Sequence, residues 1–122
     1  RISRPNGIAF FPGEEKLLVA CSDPNAANWY LVDPAAAGSK PTLFYSATNE
    51  REGMKGLPDG LKISKNGTVF ASGPGGVWIF NRKGSVLGKI RLDEAASNVA
   101  LSADEKTLYI TNDMYVLRVR LL

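Results

Sequence analysis

The chain holds 122 residues, 44% hydrophobic and 22% charged, enough for one packed unit and too few for two ordinary domains. Its net charge of +3 comes from 15 basic and 12 acidic residues scattered among one another, so no segment reads as a nucleic-acid-binding face. No apolar run approaches the roughly 20 residues of a membrane-crossing helix, and the lack of any histidine excludes Ser-His and Cys-His nucleophilic pairs.

In chain order, the first unit predicts strands near Gly7–Phe11, Leu17–Cys21, Trp29–Val32 and Thr42–Tyr45, with turn-rich stretches over Ser22–Asn28 and Asp33–Pro41. Cys21 ends an apolar run. It is the chain's single cysteine, so it forms no intrachain disulfide and reads as a buried strand thiol. The polar stretch 46–56 is an insertion at a unit boundary. Such a loop is usually tolerated surface, and its functional alternative is a segment reaching over a channel mouth.

The second unit gives Leu61–Ile63, Thr68–Ala71, Val77–Phe80 and Val86–Ile90. Val77-Trp78-Ile79-Phe80 is apolar at every position, which predicts a strand covered on both faces. The third unit gives Val99–Leu101, Leu108–Thr111 and Tyr115–Leu121 and has three strands rather than four. Arg118 and Arg120 alternate with Leu117, Val119 and Leu121 and form the solvated face of its last strand. Gly and Pro break every window long enough for a helix.

The units repeat one another. Pro5-Asn6-Gly7-Ile8-Ala9-Phe10 returns as Pro58-Asp59-Gly60-Leu61-Lys62-Ile63 and, more faintly, as Ser97-Asn98-Val99-Ala100-Leu101. The hairpin turns Phe11–Glu14, Ser64–Gly67 and Ser102–Glu105 recur in step with these copies. The spacing is near the roughly 40 to 50 residues of a β-propeller blade, lengthened once by the insertion. The expected fold is therefore all-β: antiparallel four-stranded meanders arranged as about three blades of a propeller. They fall at 1–50, 57–92 and 97–122, the last lacking its closing strand.

Asn6 and Asp59 stand at equivalent places before the first strand of successive blades, where the chain runs nearest a propeller axis. Their oxygens are hard donors suited to Ca²⁺, Mg²⁺, Mn²⁺ or a nitrogen-poor Zn²⁺ site. Asn-Gly and Asp-Gly are equally common as turn dipeptides, which explains them without a metal. Asn98 belongs to the same ring of positions and either lines the channel or caps a strand end.

Arg4-Pro5-Asn6-Gly7-Ile8-Ala9-Phe10, Gly56-Leu57-Pro58-Asp59-Gly60-Leu61-Lys62, Ala71–Phe80 and Lys106–Thr111 together resemble the gluconolactonase, senescence-marker-protein and luciferin-regenerating-enzyme family. They occur in family order and match its C-terminal half. The resemblance implies a six-bladed propeller with one axial divalent cation, Ca²⁺ foremost, held by a Glu of the first blade, by Asn6 and by Asp59. The chain lacks that Glu, and it reads as a piece of something longer. The implied activity is hydrolysis of sugar-type lactones, with Asp59 as ligand and general base. A lone half-ring would be inactive until the N-terminal blades or a second half closed it. The competing readings are a non-catalytic protein- or glycan-binding platform and a phosphotriesterase using the same metal.

Overall fold

A computed structural model describes all residues, 1–122, as eleven strands, one short 3-10 turn and no α-helix. The strands are β1 (Pro5–Phe10), β2 (Leu17–Asp23), β3 (Ala26–Val32), β4 (Thr42–Ser46), β5 (Leu61–Ile63), β6 (Val69–Gly73), β7 (Gly76–Phe80), β8 (Val86–Arg91), β9 (Ala96–Leu101), β10 (Thr107–Asn112) and β11 (Tyr115–Arg120). They form three antiparallel sheets in the orders β1-β2-β3-β4, β5-β6-β7-β8 and β9-β10-β11, each strand pairing with its neighbour in sequence. These are propeller blades, with β1, β5 and β9 as successive inner strands in contact.

The hairpins follow their turn residues. Gly13 and Gly67 take the left-handed backbone that the first-to-second-strand connections require, and in the third blade Glu105 takes it at φ 58°. Ser22–Asn28 departs from expectation. Only Pro24 and Asn25 lie between β2 and β3, and Ser22 pairs with Ala27 and Cys21 with Asn28. The polar residues that suggested a loop sit in paired strand instead. Two of them bond locally, Asp23 accepting from the Asn25 amide at 2.9 Å and Asn28 donating to the Tyr30 hydroxyl at 2.8 Å.

The middle sheet is buried on both faces. Trp78, Phe80, Val69 and Ala71 face Leu18, Trp29 and Phe44 of the first sheet, while Phe70 and Val77 face Val99, Leu108 and Ile110 of the third. The all-apolar run Val77–Phe80 thus serves two cores. Aromatic rings dominate the first core: Trp29 lies 5.0 Å from Phe80 and 5.7 Å from Trp78, centroid to centroid. Cys21 is buried, and Arg118 and Arg120 are exposed. The far face of the first sheet carries exposed Ile8, Phe10 and Leu43, and the third sheet exposes Tyr109 and Val116.

The 46–56 insertion is a strap across the blade ends. Its Ala47 amide bonds the Ala27 carbonyl at 2.8 Å, Arg51 Nε donates to the Pro24 carbonyl at 2.6 Å, and Lys55 pairs with Glu94 at 2.9 Å. The Tyr45 hydroxyl donates to Glu50 Oε1 at 2.6 Å. Lys89 Nζ donates to Glu50 Oε2 at 3.2 Å and sits 3.8 Å from the Trp78 ring centroid.

Glycine lets the inner strands approach one another. A Cβ on Gly7 would overlap the Asp59 carbonyl oxygen, and one on Gly60 would collide with the Asn98 side chain and lie 2.8 Å from the Asn98 Cα. In β8, by contrast, nothing lies within 4 Å of a Cβ built on Gly88. We therefore expect Gly7→Ala to cost about 1–3 kcal/mol in urea unfolding, and Gly88→Ala to be neutral or stabilising by up to about 1 kcal/mol.

The strap also predicts a pH dependence. The hydrogen bond from Tyr45 holds the Glu50 carboxyl below its ordinary value, with Lys89 assisting, and the same bond, together with burial, pushes Tyr45 up to about 12. Glu50's contribution is present above the ordinary 4.5 and is lost as pH falls through its lowered value. Tyr45's contribution is present below the ordinary 10 and is lost as pH climbs through about 12. Between pH 7 and 3, thermal unfolding should show a smaller fall in midpoint for Glu50→Gln than for the wild type.

Candidate functional site

Asn6 and Gly7 lie inside β1, at the register shift between Pro5 and Ile8, and Asp59-Gly60 leads directly into β5. Neither Gly7 nor Gly60 has a positive φ, so the dipeptides are not hairpin turns. The turn reading is overturned: glycine is required here by the neighbouring blade, not by a bend. Asn98 is equivalent in β9, and the Gly60 amide bonds the Ser97 carbonyl at 2.8 Å. The chain thus brings Asn6, Asp59 and Asn98 to one end of three adjacent inner strands.

A hydroxyl from each second strand fastens this end. Ser72 Oγ, fully buried, donates to the Gly60 carbonyl at 2.9 Å, and Thr111 Oγ1 donates to the Asn98 carbonyl at 3.3 Å. In the first blade, Ser22 Oγ donates to the Pro58 carbonyl and accepts from Asn6 Nδ2 at 3.2 Å. Ser22 went unnoticed in the sequence because it falls in the stretch that reads as a loop. The available signal was a small hydroxyl residue recurring, within one position, at the end of the second strand of all three copies.

Asp59 is half-buried, and burial alone pushes its carboxyl above the ordinary carboxylate range. No basic side chain or hydrogen-bond donor of the chain offsets that cost. Asn98 Oδ1 accepts from the Val99 amide at 2.9 Å, whereas Asn6 Oδ1 accepts from no donor of the chain. An uncompensated carboxylate and an uncommitted amide oxygen, at equivalent positions of adjacent inner strands, are the donor types that a hard divalent cation takes. No three His, Cys, Asp or Glu side chains gather anywhere in the chain. No helix is long and apolar enough to cross a membrane.

The family model described as the SMP-30/gluconolactonase/LRE-like region matches residues 1–113. A gluconolactonase of Zymomonas mobilis is 40% identical over 98% of this chain and 35% of its own length. Among solved structures, a gluconolactonase from Xanthomonas campestris superposes with a TM-score of 0.82 at 26% identity, over 100% of this chain and 40% of that one. A calcium-binding regucalcin from Agrobacterium tumefaciens shares the fold, with a TM-score of 0.71 at 19% identity over 93% of this chain and 40% of that one. The chain spans 35–40% of the length of the gluconolactonases it matches. It belongs to the SMP-30/gluconolactonase/LRE-like family.

Proposed function

We propose that this chain is the C-terminal half of a divalent-metal-dependent hydrolase of sugar-type lactones, with Asn6 and Asp59 as two of the metal's oxygen ligands. The observation that carries the reading is Asp59, a half-buried carboxylate with no compensating donor, at the converging ends of the inner strands. The 40% identity to a gluconolactonase supports the substrate class, and the regucalcin fold relative favours Ca²⁺ over Zn²⁺, Mg²⁺ or Mn²⁺. Remaining ligands come from blades outside this chain.

When bound, the cation supplies Lewis-acid polarisation of the lactone carbonyl. The residues of the chain supply the rest. Asp59 takes the proton of the attacking water. Asn6 contributes a neutral oxygen, which leaves the site's positive charge undiminished. Asn98 lines the channel beside Gly60. The exposed Ile8, Phe10 and Leu43 on one end blade and Tyr109 and Val116 on the other are surfaces for the missing blades or a second half-ring. The isolated chain is therefore inactive.

The test is calorimetric titration of Ca²⁺, Mg²⁺, Mn²⁺ and Zn²⁺ into the protein that carries this chain, with gluconolactone hydrolysis followed in parallel. Asp59→Ala should weaken binding by more than the roughly 10–100-fold typical of an outer-shell change and abolish hydrolysis. Asp59→Asn, which keeps an oxygen but no base, should retain weakened binding and lose roughly 10²–10⁴ in kcat. Hydrolysis untouched by either change would overturn the reading. A protein that binds neither metal nor lactone would be a binding platform.

A further inference from the structure

We infer that Ser22 is a positioning residue that fixes which face of the Asn6 amide is presented to the cation; this rests on the metal site proposed above. Pro58 is buried, and its carbonyl receives the Ser22 hydroxyl proton. A buried carbonyl requires such a partner, so that proton is committed. A serine hydroxyl has only one hydrogen. Ser22 Oγ can therefore meet Asn6 only as an acceptor, and it does so with Asn6 Nδ2 at 3.2 Å. The NH₂ half of the amide is thereby turned toward β2, and Oδ1 is the half left to ligate. The reversed amide would set two lone pairs against each other at Ser22 and offer N–H hydrogens to a cation.

One hydroxyl thus serves both ligands. It orients the amide of Asn6 and holds the carbonyl of the residue preceding Asp59, so the side chain of one ligand is tied to the backbone of the other across two blades. Nothing comparable constrains the Asp59 carboxylate, whose two oxygens are equivalent and need no orientation.

That equivalence supplies the test. Ca²⁺ affinity is measured by calorimetry for the wild type, Ser22→Ala, Asn6→Asp and the double variant, in the protein that carries this chain. Ser22→Ala should weaken binding roughly 10–100-fold, the range for loss of an outer-shell partner, when residue 6 is Asn. When residue 6 is Asp, the same change should cost less than about threefold, because a carboxylate cannot be presented backwards. Ser22→Thr should bind as the wild type does, and Ser22→Cys, a weak donor of similar size, should fall between. The cysteine variant also carries the test if alanine impairs folding.

Equal losses in both residue-6 backgrounds would overturn the inference, since Ser22 would then act only by holding the Pro58 carbonyl. Unchanged affinity in Ser22→Ala would overturn it as well. Failure of the metal site itself is seen separately: wild-type protein that binds no Ca²⁺, or binding indifferent to Asp59→Ala, removes the site and this inference with it.

Discussion

Three inner strands can meet at one end only because two of them lack a Cβ where they touch. Gly7 lies against the Asp59 carbonyl and Gly60 against Asn98, so the residues beside each glycine are carried to the same place. The separation between blades and the grouping of the polar residues have one cause. Any larger side chain at position 7 or 60 would push the blades apart and, with them, the oxygens of Asn6 and Asp59. The glycines thus shape the candidate site without lending it a side chain.

The energetics at that end are uneven in a telling way. Backbone groups are well served: Ser72 holds the Gly60 carbonyl, Thr111 the Asn98 carbonyl and Ser22 the Pro58 carbonyl. The Asp59 carboxylate has no such partner, although burial raises the cost of its charge. A scaffold that satisfies its carbonyls and leaves one carboxylate uncompensated concentrates its electrostatic cost where a cation or a proton can relieve it. The aromatic packing of Trp29, Trp78 and Phe80 stabilises the sheets that carry this cost.

Much of the fold was legible because its signals are local. Val77–Phe80 reads as a strand buried on both faces, and the turns at Gly13 and Gly67 read from their chemistry. Asn6, Asp59 and Asn98 were legible as equivalent positions in a repeat. Their reason was not, because Asn-Gly and Asp-Gly look the same whether glycine answers a bend or a neighbouring strand. Only the three-dimensional contact separates the two. Ser22–Asn28 was misread for a related reason. The facing ends of β2 and β3 carry the polar side chains of Ser22, Asp23 and Asn28, and composition alone cannot distinguish such strand ends from a loop. The stretch 46–56 does lie at the surface, but its anchors, Pro24, Lys89 and Glu94, were not legible because they are distant in sequence.

The middle sheet lends side chains to both cores, Trp78 and Phe80 to one and Phe70 and Val77 to the other. It cannot melt by itself, because its departure would strip both neighbours of their interiors at once. Within residues 1–122 the first and third sheets each contribute to one core only. Within residues 1–122 the middle sheet is therefore the element whose opening would expose the most interior. Neighbouring repeats are thereby coupled through the sheet they share rather than standing as independent modules.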